Sequence, residues 1–260
     1  MEQLHPLVIE NRSIASGYYE LRFSWESDET PLPGQFVTLR VAERPAPLLR
    51  RPFAFSSFDA QRREAAVIYQ ERGKGTREMV GYHPGDRLDL LGPLGHGFPE
   101  APEGSNPYLI AGGVGMGPIF FAAEEWAKAG VSSTVILGAR TRVQLPEIDL
   151  PQQVRYVHCT EDGSAGFAGT SVDQLLELLS EEAPESPILY TCGPEPMMHR
   201  LAQIAEERDM AIWVSMEQTM GCAVGACLGC AVPVKGPMKY ARVCTEGPVF
   251  DGKEILWTSA

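Results

Sequence analysis

Four of the six cysteines in this chain fall between Cys222 and Cys244, and their spacing limits what the C-terminal region can become. Cys222-Ala-Val-Gly-Ala-Cys227-Leu-Gly-Cys230, followed by Cys244, has the form C-x4-C-x2-C…C, the ligand spacing of a [2Fe–2S] centre. Two sulfide-bridged irons need four thiolates arriving from one side, and a loop of small residues lets the backbone wrap closely around them. Gly221, Ala223, Gly225, Ala226 and Gly229 leave that room, and their amides can point at the sulfurs. A structural zinc site also accepts four cysteines, but zinc loops pair two short cysteine elements, and Cys244 lacks a near partner. A chance group of buried thiols is the third reading. A disulfide framework would spread its bridges along the fold, so the clustering points to a reducing, cytoplasmic setting. Cys159 and Cys192 stand apart and read as small core residues.

The rest of the composition is that of an ordinary soluble chain. Its 260 residues, 44% hydrophobic and 22% charged, allow one to two domains and at least one full core. No apolar run approaches the ~20 residues that cross a bilayer. The start, Met1-Glu-Gln-Leu-His5, lacks the basic and apolar regions of a secretory signal, so neither export nor membrane insertion is expected. A net charge of −12 repels phosphate backbones and anionic lipid, which argues against nucleic acid as a partner. The five histidines show no metal-ligand spacing.

Three blocks follow one another. Residues 1–101 carry short alternating runs (Tyr18–Phe23, Gln35–Arg40, Ala65–Gln70, Arg87–Leu91) punctuated by Pro31-Leu-Pro-Gly34 and His83-Pro-Gly-Asp86, which predicts an antiparallel β-barrel. Residues 102–212 alternate strands at Tyr108–Ala111, Ser133–Leu137, Tyr156–His158 and Ile188–Thr191 with helices at Ile119–Lys128, Ser171–Ser180 and Glu195–Arg208. That order predicts a parallel α/β nucleotide-binding domain. Residues 213–260 are too few for a stable core of their own, so a bound cluster is a reasonable staple for a small C-terminal [2Fe–2S] domain. The fold class is therefore multidomain, β plus α/β, with seams near Pro99–Pro107 and Ala211–Glu217.

Phosphate-binding chemistry is spread over the first two blocks. Arg51-Pro-Phe-Ala-Phe-Ser56 places an arginine able to clamp a diphosphate close to an aromatic able to cover a flat ring. Gly73-Lys-Gly-Thr76 offers amides and a hydroxyl at a predicted turn. Ala111-Gly-Gly-Val-Gly-Met-Gly-Pro118 lies between a strand and a helix, where a pyrophosphate can approach the backbone. Thr191-Cys-Gly-Pro-Glu-Pro196 ends another strand of the same sheet. Each alone would pass for a surface turn; their combination on one predicted scaffold carries the signal.

In order and content these motifs resemble the ferredoxin-NADP reductase superfamily and, more narrowly, the electron-transfer subunits of class 1B dihydroorotate dehydrogenases. Leu91-Gly-Pro-Leu-Gly-His-Gly-Phe98, Glu161-Asp-Gly-Ser164, Cys192-Gly-Pro-Glu-Pro-Met197 and Cys244-Thr-Glu-Gly-Pro-Val-Phe250 complete the resemblance, which covers nearly the whole chain. It implies a barrel that binds FAD through Arg51, Pro52, Phe53, Ala54, Ile68, Tyr69, Gln70, Gly75 and Thr76. It implies NAD at Gly112, Gly113, Val114, Gly115, Cys192, Gly193 and Pro194, and a [2Fe–2S] cluster on Cys222, Cys227, Cys230 and Cys244. Three departures stand out. Ala54 stands where the family often has a small hydroxyl residue near flavin N5. Thr219 and Gly221 replace its arginine and alanine. Ala223 replaces a glycine.

The activity implied is electron transfer in pyrimidine biosynthesis. An FMN-containing dihydroorotate dehydrogenase catalytic subunit oxidises dihydroorotate, and this chain carries the electrons to NAD+. The expected assembly is a heterotetramer with two copies of each subunit. No acid or base residue is needed for hydride transfer, so no side chain is assigned a catalytic role and positioning is the protein's contribution. Arg140-Thr-Arg142 could greet the 2′-phosphate of NADP, but it also reads as a solvated turn, and NAD is the expected nucleotide. The rivals are a flavin and iron–sulfur NAD(P)H diaphorase subunit of a hydrogenase, sulfite reductase or ferredoxin-linked complex, and a colourless zinc-stabilised binding module.

Overall fold

A computed structural model describes residues 1–41 and 47–257. The N-terminal part consists of β1 (Glu2–Leu4), β2 (Val8–Ala15), β3 (Tyr18–Ser24), β4 (Phe36–Leu39), β5 (Arg51–Asp59), β6 (Glu64–Gln70), helix α1 (Lys74–Val80) and β7 (Leu90–Leu94). These strands form one antiparallel sheet in the order β1-β7-β4-β5-β6-β3-β2. The chain steps from one edge strand to the other through His5-Pro-Leu7. There the Val8 N–H donates to the Asp86 carbonyl and the Leu88 N–H to the Pro6 carbonyl, both at 2.8 Å. The edges are thereby joined and the sheet closes into the expected barrel. Alternate residues of its strands, including Leu21, Phe23, Val37, Leu39, Phe55, Val67, Tyr69 and Leu90, fill the interior.

Two barrel elements depart from the sequence reading. The glycine-rich segment expected as a turn begins α1 instead, because Met79 is buried in the barrel core and Asn11 Nδ2 donates to the Met79 carbonyl at 2.8 Å near the helix end. The last strand lies at Leu90–Leu94 rather than Arg87–Leu91, with Leu88 already buried ahead of it.

The second unit runs β8 (Asn106–Gly112), α2 (Met116–Lys128), β9 (Ser133–Ala139), β10 (Val154–Thr160), β11 (Phe167–Ala168), α3 (Ser171–Glu182), β12 (Pro187–Cys192), α4 (Glu195–Glu207) and β13 (Ala211–Ser215). Its sheet has the order β11-β10-β9-β8-β12-β13, parallel throughout, so the strand order reverses between β8 and β12. Ligands of open α/β sheets bind outside the carboxyl ends at such a switch point. Helix α2 serves both units: Phe120 packs into the core under the sheet, and the next residue, Phe121, packs into the barrel core. This sharing fixes one unit against the other.

The C-terminal part adds β14 (Ala231–Pro233), β15 (Tyr240–Arg242) and β16 (Val249–Asp251). Strand β16 pairs antiparallel with β13, Ser215 opposite Val249. The 212/213 boundary drawn from sequence thus falls inside β13. Met220, Ala223, Cys230, Val232, Val243 and Cys244 belong to the same apolar core as Leu175, Leu201 and Ile212, on the opposite face of the sheet from Phe120. Among the described residues, no helix is long and apolar enough to cross a membrane.

Candidate functional site

Two cavities open at the carboxyl edge of the parallel sheet, where it meets the barrel. The first, of about 520 Å³, has an apolar wall of Phe36, Pro52, Phe53, Ala54, Ile68 and Val114, with Gln70 and Thr76 among its polar members. The second, of about 1130 Å³, runs past Gly112, Gly113, Gly193 and Pro194 to Arg140, Glu161 and Thr170. They share Gln70, Arg72, Val114, Met216 and Glu217, so they are continuous through one seam.

Most of the residues singled out from sequence meet here. Pro52, Phe53, Ala54, Ile68, Tyr69, Gln70 and Thr76 line the first cavity. Arg51 and Gly75 line neither cavity but lie beside each other, since a Cβ on Gly75 would be 3.2 Å from Arg51 Nε, so the two segments abut. Gly112, Gly113, Val114, Gly193 and Pro194 line the second cavity. Gly115 faces neither cavity. A Cβ there would lie 2.1 Å from the Cys192 carbonyl oxygen, so this glycine lets α2 start hard against the end of β12. Cys192 lines the first cavity rather than the second. Burial raises its thiol pKa and the charge of Glu217 adds to the effect, which keeps it a neutral thiol and no nucleophile.

The wall formed by Ser215, Met216, Glu217, Gln218, Thr219 and Met220 was not foreseen as part of this cavity. No sequence pattern marks it; it joins the cavity because β13 ends at the switch point. Its position matters, because Met220 is followed two residues later by Cys222. Residues that touch the first cavity therefore run straight into the cysteine loop. Burial raises the pKa of Glu217, opposed by the positive charge of Arg72 across the seam.

The cysteine loop presents its sulfurs in two pairs. Cys230 Sγ and Cys244 Sγ are 3.2 Å apart and buried. On the outer side, the Cys227 N–H donates to Cys222 Sγ at 3.3 Å. Other amides also serve the sulfurs: Val224 N–H to Cys222 Sγ at 3.4 Å, Gly225 N–H to Cys244 Sγ at 3.2 Å, and Gly229 N–H to Cys227 Sγ at 3.4 Å. The amides, that of Val224 first, hold the Cys222 thiol down to about 7, favouring the thiolate that binds metal. Burial pushes the Cys244 thiol up to about 11. Arg242 ties the loop together. Its Nη1 donates to the Gly225 carbonyl at 3.0 Å and its Nε to Glu246 Oε2 at 3.0 Å. Four cysteine sulfurs in two pairs suit a binuclear centre, whose ligands divide between two metals.

Residues 217–256 match a family described as the iron–sulfur cluster binding domain of dihydroorotate dehydrogenase B. The chain is 38% identical over 254 residues to the dihydroorotate dehydrogenase B (NAD(+)) electron transfer subunit of Geobacillus thermodenitrificans, covering 96% of each chain. It belongs to that family. The subunit of the same name from Bacillus caldolyticus is also 38% identical, again over 96% of both chains. A solved structure of an NADH-dependent reduced ferredoxin-NADP oxidoreductase superposes with a TM-score of 0.84 at 29% identity, covering 97% of this chain and 90% of that one.

The family's cofactors can be weighed against the residues present. The donor set of the loop, four cysteines with amides directed at three of the sulfurs, suits an anionic iron–sulfur cluster. The first cavity, with its apolar faces and polar rim, suits a flat amphipathic ring. Ala223 explains one departure from the family pattern. Its φ is +61°, a conformation glycine adopts freely, and alanine occupies it here.

Proposed function

We propose that this chain is the electron-transfer subunit of a B-type dihydroorotate dehydrogenase. It accepts the electrons released when an FMN-carrying partner subunit oxidises dihydroorotate to orotate, and it delivers them to NAD+. The observation that carries this reading is continuity: the cysteine loop, the first cavity and the second cavity follow one another through Met216–Cys222 and the shared seam. When bound, the [2Fe–2S] cluster supplies one-electron transfer, and FAD supplies the change between single electrons and the hydride that nicotinamide carries.

The chain's own residues hold and shield. Arg51, Gly75 and Thr76 bind the FAD diphosphate, while Pro52–Ala54, Ile68–Gln70 and Val114 enclose the ring and exclude water. Gly112, Gly113, Gly193 and Pro194 leave the backbone open to NAD, and Gly115 and Cys192 set the approach of α2 to β12 behind it. Cys222, Cys227, Cys230 and Cys244 ligate the cluster. Residues 1–101, 102–212 and 213–260 serve as the FAD, NAD and cluster units, although the third shares its core with the second. Val224, Leu228, Met238 and Tyr240 are exposed apolar side chains on the cluster unit, and they suit a partner that covers the loop. A tetramer with two copies of each subunit is the assembly we infer.

Expression with the FMN-type catalytic subunit should give a brown-yellow complex, measured by light scattering as two of each chain, that forms orotate with NAD+ as acceptor. A complex that forms but reduces only another iron–sulfur partner would instead favour an NADH diaphorase role. The 29% identity to the NADH-dependent oxidoreductase keeps that second reading in view.

A further inference from the structure

The second cavity carries positive charge from a source outside the α/β unit. Along the carboxyl edge of the sheet, strand order sets the sequence of groups: Glu161 after β10, Arg140 after β9, the glycine segment after β8, Gly193 after β12 and Glu217 after β13. The edge is thus acidic at both ends and open or basic in the middle. Above the middle lies the barrel hairpin that joins β2 to β3. Its Ser16 N–H donates to the Val143 carbonyl at 2.8 Å, in the turn that follows Arg140. Its Gly17 carbonyl accepts from the Glu71 N–H at 2.9 Å, next to Arg72.

These two main-chain bonds hold the hairpin against both segments, and Tyr18, Arg72 and Arg140 all line the cavity. The Tyr18 hydroxyl stands 3.6 Å from where a Cβ of Gly113 would be, directly over the glycine segment. Burial raises the phenol's pKa, and both Arg140 and Arg72 act on it in the opposite sense, which places both guanidinium groups within electrostatic reach. Among the described residues, neither arginine makes an ion pair within 4.0 Å. Two guanidinium groups without ion-pair partners and a phenol, facing bare backbone amides, form a receptor for an anion with several oxygens. Acidic groups at either end suit the ribose hydroxyls and the cationic nicotinamide of NAD+.

We propose that Tyr18, Arg72 and Arg140 clamp the diphosphate of the nicotinamide dinucleotide, with two of the three side chains supplied by the barrel. This rests on the nicotinamide role given above and deepens it: the nucleotide is gripped by both units, so neither alone would hold it. The Ser16–Val143 contact then has a functional reason, since it keeps Tyr18 and Arg140 on the same anion.

The test is calorimetric titration of the flavin-loaded chain with ADP-ribose, which keeps the diphosphate, and with AMP, which has a single phosphate. Arg72→Gln should weaken ADP-ribose about tenfold, the scale of a lost charge-assisted bond, and AMP less than about twofold. Arg72→Lys should recover part of the loss, and Tyr18→Phe should weaken ADP-ribose by about threefold. In NADH-driven flavin reduction, Arg72→Gln should raise KM and leave kcat unchanged. Unaltered ADP-ribose affinity in Arg72→Gln, or equal weakening of ADP-ribose and AMP, would overturn the clamp and leave the nicotinamide role standing. Failure of the unmodified chain to bind ADP-ribose or NADH would overturn both.

Discussion

At the carboxyl edge of the parallel sheet the backbone is set by strands such as β8, whose residues from Pro107 to Gly112 are all buried. From Met216 to Cys230, by contrast, the chain forms neither strand nor helix. The nucleotide cavities are therefore shaped by packing on both faces of a sheet, and they exist whatever occupies them. The cysteine loop has little packing of that kind on its outer side, and two of its non-glycine residues, Ala223 and Leu228, hold left-handed conformations with φ of +61° and +58°. Its shape rests on amide-to-sulfur bonds, on Arg242 and, in the function we propose, on a metal centre held by its cysteines. One part of the electron path is rigid before its ligand arrives; the other is completed by its ligand.

The strongest way to break this contrast is to remove a ligand. Cys230→Ser should cost at least about tenfold in iron and sulfide content, while ADP-ribose affinity stays within twofold of the parent; loss of both together would mean that the two regions are not independent. The mirror experiment is Gly115→Ala, which forces a methyl onto the Cys192 carbonyl. It should destabilise the chain by roughly 3 kcal/mol in a denaturant melt and impair nucleotide binding, while iron content per folded chain holds.

Arg242 sharpens the comparison at a smaller scale. It reaches the Gly225 carbonyl, and the Gly225 N–H reaches Cys244 Sγ, so Arg242→Ala should weaken iron retention against a chelator by about tenfold. The same tie carries a pH signature. Hydrogen bonds from Arg242 hold the Glu246 carboxyl at about 2, below the ~4.3 of an unfolded glutamate. Its stabilising contribution is present above the unfolded value and is lost as pH falls through about 2. Glu246→Gln should therefore flatten the acid side of the stability profile between those values, as followed by far-ultraviolet circular dichroism.

The smallest effect is expected at Leu228, which is exposed as well as left-handed. Leu228→Asn should raise the stability of the isolated chain by up to about 1 kcal/mol and weaken its association with the catalytic subunit. A change in neither would remove Leu228 from the docking surface.

The contrast also explains what could be read from sequence. The four cysteines proposed as cluster ligands are local, three of them within one short loop, and a spacing rule singles them out without any knowledge of the fold. The glycine segments after β8 and β12 were legible because strand–turn–helix order exposes them. Strand β2 was missed because only Val8 in it is buried, so it shows no apolar alternation. Tyr18 and Arg72 were missed as cavity residues for another reason: Tyr18 reads as part of an alternating strand, and nothing local says that a barrel hairpin will dock beside β9. Ser215–Met220 likewise acquires its place only when β13 takes its position in the sheet.

Because Ser215 and Val249 sit opposite each other on adjacent antiparallel strands, the iron-binding region is, in chain topology, the overgrown loop of a hairpin. Both of its ends return to the same spot on the host sheet. An insertion of that kind adds its cysteines without rethreading the flavoprotein sheet, and its Met220, Val232 and Val243 complete the core that sheet rests on.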